Sequence, residues 1–127
     1  MTYALQEAWD DLEDPGRYLG TDNARAAYAR VLGRLPVDIR HFALERCFVV
    51  CVGRELNGMT WPLSMIDKRQ RRWLIVCGED NGLEDRIAHE IAHATRGDQR
   101  HELGIEKAAD DLAVAWGFQR SYPMLGC

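Results

Sequence analysis

The chain has 127 residues, 46% hydrophobic and 28% charged, with a net charge of −4 when the histidines are neutral. That length and mixture argue for one soluble globular domain over residues 1–127 with a single main core. The weak acidic balance gives no global field favouring nucleic acid or an anionic membrane. No stretch approaches the ~20 apolar residues of a bilayer span, and the N-terminus lacks the basic start and apolar run of a secretory leader. The expected compartment is therefore the cytoplasm.

Leu5, Ala8, Trp9 and Leu12 recur at helical spacing, so a short amphipathic helix opens the chain and Asp14-Pro15-Gly16 ends it. Thr21 is the expected N-cap of a second helix with the stripe Ala24, Tyr28, Val31 and Leu32, stopped at Gly33. Pro36 suits the first turn of a third, with Ile39, Phe42, Ala43 and Cys47 inward. Cys47 to Val52 then reads as a buried strand. Asn57-Gly58 signals a turn into Met59-Thr60-Trp61, and Pro62 demotes that run to an edge or broken strand. Lys68-Arg69-Gln70-Arg71-Arg72 reads as a solvated turn, with a polyanion contact as the second reading. Arg72 to Cys77 reads as another strand, and a meander of two or three strands is the simplest arrangement.

Asn81-Gly82-Leu83-Glu84 matches a capping box with Asn in the capping position, opening a helix that Gly97 should stop. A last helix carries Ile105, Ala109, Leu112, Ala113 and Trp116 on one face and ends at Gly117. Helices, then strands, then two helices make the expected class α+β. The four cysteines form no Cys-x-x-Cys pair, which disfavours a thiolate metal site. Cys47, Cys51 and Cys77 read as small buried residues, and Cys127 as an exposed end.

Chemistry concentrates in His89-Glu90-Ile91-Ala92-His93. Histidines four apart on a helix project from one side, close enough to share one ion at the ~2.0–2.1 Å that zinc prefers. Glu90 is turned roughly 100° around the helix, which keeps it off the ion but within reach of a water bound there. The helix is nearly apolar all round (Leu83, Ile87, Ala88, Ile91, Ala92, Ala94), so it should be central, and its polar residues there need partners. An open catalytic site takes a third protein ligand. Glu106, thirteen residues beyond His93 on the next helix, is the best placed. Asp110, one turn further on, suits the outer ring N–H of a ligating histidine. The competing reading of Glu106, Asp110 and Asp111 is an exposed acidic stripe.

HEIAH followed by Glu106-Lys107-Ala108-Ala109-Asp110 resembles the gluzincin zinc peptidases, and its Glu-x-x-Ala-Asp form is similar to that of the HtpX-related proteases. The resemblance covers about residues 82–118. It implies a zincin-like fold with an active-site helix and a C-terminal ligand helix. It also implies Zn2+ on His89, His93 and Glu106, with Asp110 behind a ligand and Glu90 as general base. The chain lacks the membrane spans of those enzymes, so the resemblance bears on metal geometry rather than on substrate. The metzincin pattern fails, because Arg96 and Gln99 stand where it needs Gly and His. His101, eight residues after His93, remains an alternative third ligand, in the manner of DNA–protein-crosslink proteases, or a donor to the transition state. Asp98 is a weaker rival for the third position. His41 and Tyr122 are further candidate donors.

The expected function is a zinc-dependent metallopeptidase acting on a peptide or protein, with Glu90 taking a proton from a metal-activated water. One alternative is a non-catalytic module in which zinc staples two helices for protein interaction. The other is a nucleic-acid-associated protease, resting on Lys68 to Arg72 and His101.

Overall fold

The computed structural model describes residues 4–53, 58–79, 81–99 and 102–121. Asn57, His101, Tyr122 and Cys127, all singled out above, lie outside the described residues. The class is α+β, with five α-helices and a four-stranded mixed sheet among the described residues. The helices are α1 (Leu5–Asp11), α2 (Asp22–Arg34), α3 (Val37–Arg46), α4 (Leu83–Arg96) and α5 (Leu103–Ala115). The strands are β1 (Tyr18–Leu19), β2 (Cys47–Cys51), β3 (Met59–Pro62) and β4 (Trp73–Cys77). No helix of the described residues is long and apolar enough to cross a membrane.

Sheet order corrects the expected meander. The strands lie β1-β2-β4-β3, with β1, β2 and β4 parallel and β3 antiparallel to β4. A three-stranded meander would put β3 between β2 and β4, where Pro62 has no N–H to give the ladder. The continuous apolar runs Cys47–Cys51 and Trp73–Cys77 take the centre instead, paired from Cys47↔Trp73 to Cys51↔Cys77, and β3 is left at the rim. The two-residue β1, which sequence reasoning did not anticipate, is too short to carry a periodic signal.

Two termini also differ from expectation. α2 runs through Gly33 to Arg34, because Leu35 precedes Pro36 and is held extended at φ −72°, ψ 148°. At the start of α4, Gly82 is the N-cap at φ 80° and no side chain caps it. The Glu84 carboxylate of the expected capping box is instead paired with Arg30 of α2 at 3.1 Å. Thr21 caps α2 as expected, accepting from the Ala24 N–H at 3.2 Å, and Pro36 directly precedes α3 as its cap.

The core joins Tyr28, Val31 and Leu32 of α2, the inward residues Val49 and Ile75 of the sheet, and Ile87, Ala88 and Ile91 of α4. α4 packs on β3, β4, α2 and α5 at once, and every residue from Ile87 to Ala94 is buried. Cys47, Cys51 and Cys77 are free and buried. Burial pushes the thiols of Cys47 and Cys51 up to about 12 and that of Cys77 well above its ordinary value. Thiolate is the reactive form. Iodoacetamide at pH 8 should therefore leave these three cysteines unmodified in the folded protein and label them in denaturant, as read by peptide mass mapping.

Candidate metal centre

α4 brings His89 and His93 one turn apart, with ring centroids 4.6 Å apart and planes nearly perpendicular. Their Nε2 atoms lie 3.0 Å from each other. Glu106 on α5 reaches both, its Oε2 standing 2.7 Å from His89 Nε2 and 3.1 Å from His93 Nε2. α5 can come this close because two of its buried residues, Ala109 and Ala113, are small.

The outer nitrogens decide what this triangle means. His89 Nδ1–H donates to Asp110 Oδ1 at 2.6 Å, and His93 Nδ1–H donates to Asp98 Oδ2 at 3.0 Å. An ionised carboxylate only accepts, so Asp110 and Asp98 favour the proton on each Nδ1, and each Nε2 can ligate a metal when it carries no proton of its own. His89 Nε2, His93 Nε2 and Glu106 Oε2 thus face one point, where they could hold a metal ion or share a proton in hydrogen bonds. Edges of 2.7–3.1 Å are ordinary hydrogen-bond lengths, near the roughly 3.0 Å of an octahedral three-ligand face and short of the roughly 3.3 Å of a tetrahedral one. Around His93 itself, burial works to lower the pKa, but the Glu106 hydrogen bond, Glu90 and Asp98 outweigh it and the net shift is upward.

Two carboxylates compete for the third position. By mutual distance alone, His89, Glu90 and His93 form a compact group whose donor atoms lie within 4.8 Å of one another. Glu106 has the better claim, because Glu90 Oε2 stays 3.8 Å from His89 Nε2 and its other oxygen is engaged elsewhere. The Thr60 hydroxyl on β3 donates to Glu90 Oε1 at 2.7 Å. Burial pushes the Glu90 carboxyl above its ordinary range, opposed by His89, the Thr60 hydrogen bond and His93. Glu90 is thus a buried carboxylate beside the triangle, held off it by the edge strand. The Glu106 side chain is 19% exposed and gives the site its contact with solvent.

Asp98 takes a role that its spacing from His93 did not suggest. Gly97 turns left-handed at φ 75°, and the N–H groups of Gly97 and Asp98 bond back to the carbonyls of Ala94 and His93. This Schellman turn folds Asp98 over His93 and onto its Nδ1, the wrong nitrogen for a shared ion. The Gly97 stop signal, followed by a carboxylate, was the available clue. Asp110 is wholly buried against His89 and also accepts from the Ser121 N–H at 3.1 Å.

Sequence reasoning missed Thr60 and Gly58 as parts of the site. Thr60 is the polar residue at an inward position of β3, and a side chain at Gly58 would stand 2.6 Å from Glu90 Oε2. His41 is exposed on α3 and is not among the residues that converge. No family model, no curated protein and no solved structure matches this chain.

Purified protein should carry about one divalent ion per chain by elemental mass spectrometry. His93→Ala and Glu106→Ala should lose it, and Asp110→Asn should weaken it about 10–100-fold. Chelation should lower the melting temperature reversibly, since an ion held at 100 times its Kd stabilises the fold by about 2.7 kcal/mol.

Proposed function

We propose that this chain is a zinc-dependent peptidase of zincin-like design, hydrolysing peptide bonds with Glu90 as the general base. The observation that carries the reading is the convergence of His89 Nε2, His93 Nε2 and Glu106 Oε2 beside a buried carboxylate that is not one of them. Two imidazoles and one carboxylate form a donor set suited to catalytic zinc. A bound zinc ion would supply Lewis-acid polarisation of a carbonyl and acidify a water.

The remaining work falls to the chain's own groups. Glu90 Oε2 accepts a proton from the attacking water and passes it to the leaving amine. Thr60 fixes the other oxygen, so a single oxygen points toward the triangle. Gly58 leaves the room that Glu90 occupies. Asp110 and Asp98 hold the two imidazoles in the tautomer that faces inward. Among the described residues β3 is an edge strand beside α4, and an extended substrate can add to it through main-chain hydrogen bonds.

Glu90→Gln should keep its zinc and lose about 10²–10⁴ in kcat on a cleavable peptide. A metal other than zinc in the purified protein, or full zinc occupancy with no cleavage across a peptide library, would overturn the reading. Thr60→Val and Gly58→Ala should each lower kcat about tenfold or more with metal content unchanged. Thr60→Ser should restore most of it.

A further inference from the structure

Resting on the peptidase reading, we infer that the basic turn after β3 is a substrate subsite that selects an acidic side chain. Lys68, Arg71 and Arg72, with Pro62, Trp73 and Gln99, line a depression of about 190 Å³ to which no carboxylate contributes among the described residues. Arg72 is engaged with the Gly16 carbonyl. Lys68 and Arg71 are exposed and have no ion-pair partner among the described residues. Two uncommitted cations in one small concavity are notable in a chain whose net charge is −4.

Position ties the depression to the site through two of its walls. Pro62 ends β3, two residues past Thr60, which touches Glu90. At about 3.3 Å per extended residue, that is roughly 7 Å along the strand. Gln99 directly follows Asp98, which holds His93. A peptide adding to the open edge of β3 finds no N–H at Pro62, so the ladder ends there, beside the depression that Pro62 lines. A side chain one or two residues from the scissile bond therefore meets Lys68 and Arg71. Aspartate or glutamate complements them, and lysine or arginine is repelled. The small volume and the link to an edge strand favour a peptide carboxylate over a nucleic-acid backbone.

The test uses full-length, zinc-loaded Glu90→Gln protein, so that binding is read without turnover. Fluorescent peptides carrying Glu, Gln or Lys at each position in turn are titrated by polarisation at low and high salt. At one position the Glu peptide should bind roughly tenfold tighter than the Gln peptide, with the margin shrinking as salt rises. Charge reversal by Lys68→Glu with Arg71→Glu should abolish that margin, with metal content measured to confirm the fold. Arg69→Glu, a neighbouring reversal that does not line the depression, should preserve it. Equal affinity for Glu and Gln peptides, absence of binding, or a margin that survives the double reversal overturns the inference. So does displacement of the Glu peptide by a single-stranded oligonucleotide at lower concentration than by unlabelled peptide. The same peptides given to the unaltered protein separate the two claims. Cleavage without acidic preference sinks the subsite alone, whereas acid-selective binding with no cleavage sinks the peptidase reading and leaves the depression a binding site for acidic peptides.

Discussion

Burial of two histidines and a glutamate within eight consecutive covered residues of one helix is the constraint to which the rest of the molecule answers. An unpartnered polar group in such a position costs about 1–3 kcal/mol. The required partners come from three directions: Glu106 and Asp110 from α5, Asp98 from the turn that closes α4, and Thr60 from β3. α5 and β3 thus contribute hydrogen-bonding groups to this part of α4, while α2 and β4 pack against the same helix. The site and the core are one construction.

The arrangement also separates two carboxylates by role. Glu106 reaches the point where the two Nε2 atoms meet, while Glu90 lies beside it. Helix geometry alone turns Glu90 away from His89 by roughly 100°, and the Thr60 hydroxyl holds it there. Burial disfavours the ionised form of Glu90, and the two histidines and Thr60 oppose that effect. A basic carboxylate that stays off the ion is what proton transfer at this site would require.

Proline 62 shapes the molecule on a larger scale. It suits β3 to the rim of the sheet against α4, while β2 and β4 pair in parallel inside. That rim position puts Thr60 on Glu90 and carries the chain directly into the basic turn. One residue without an N–H therefore links sheet topology, the orientation of the buried carboxylate and the placement of surface charge.

Local patterns legible in the chain were those with a short-range cause. The 3.6-residue stripes marked α1, α2, α3 and α5, the left-handed glycine marked the end of α4, and i, i+4 spacing put both imidazoles on one side of it. Glu106 and Asp110 were legible as candidates because they share a face one turn apart on the following helix. What only the tertiary structure decided were matters of long-range pairing. Strand order depended on which run could tolerate both neighbours, the cap of α4 on arginines from α2 that drew Glu84 away, and the hold on Glu90 on a threonine thirty residues distant. Periodicity reports which face of an element is buried, but not against what, because the partner is chosen by competition among all the surfaces the chain can bring together.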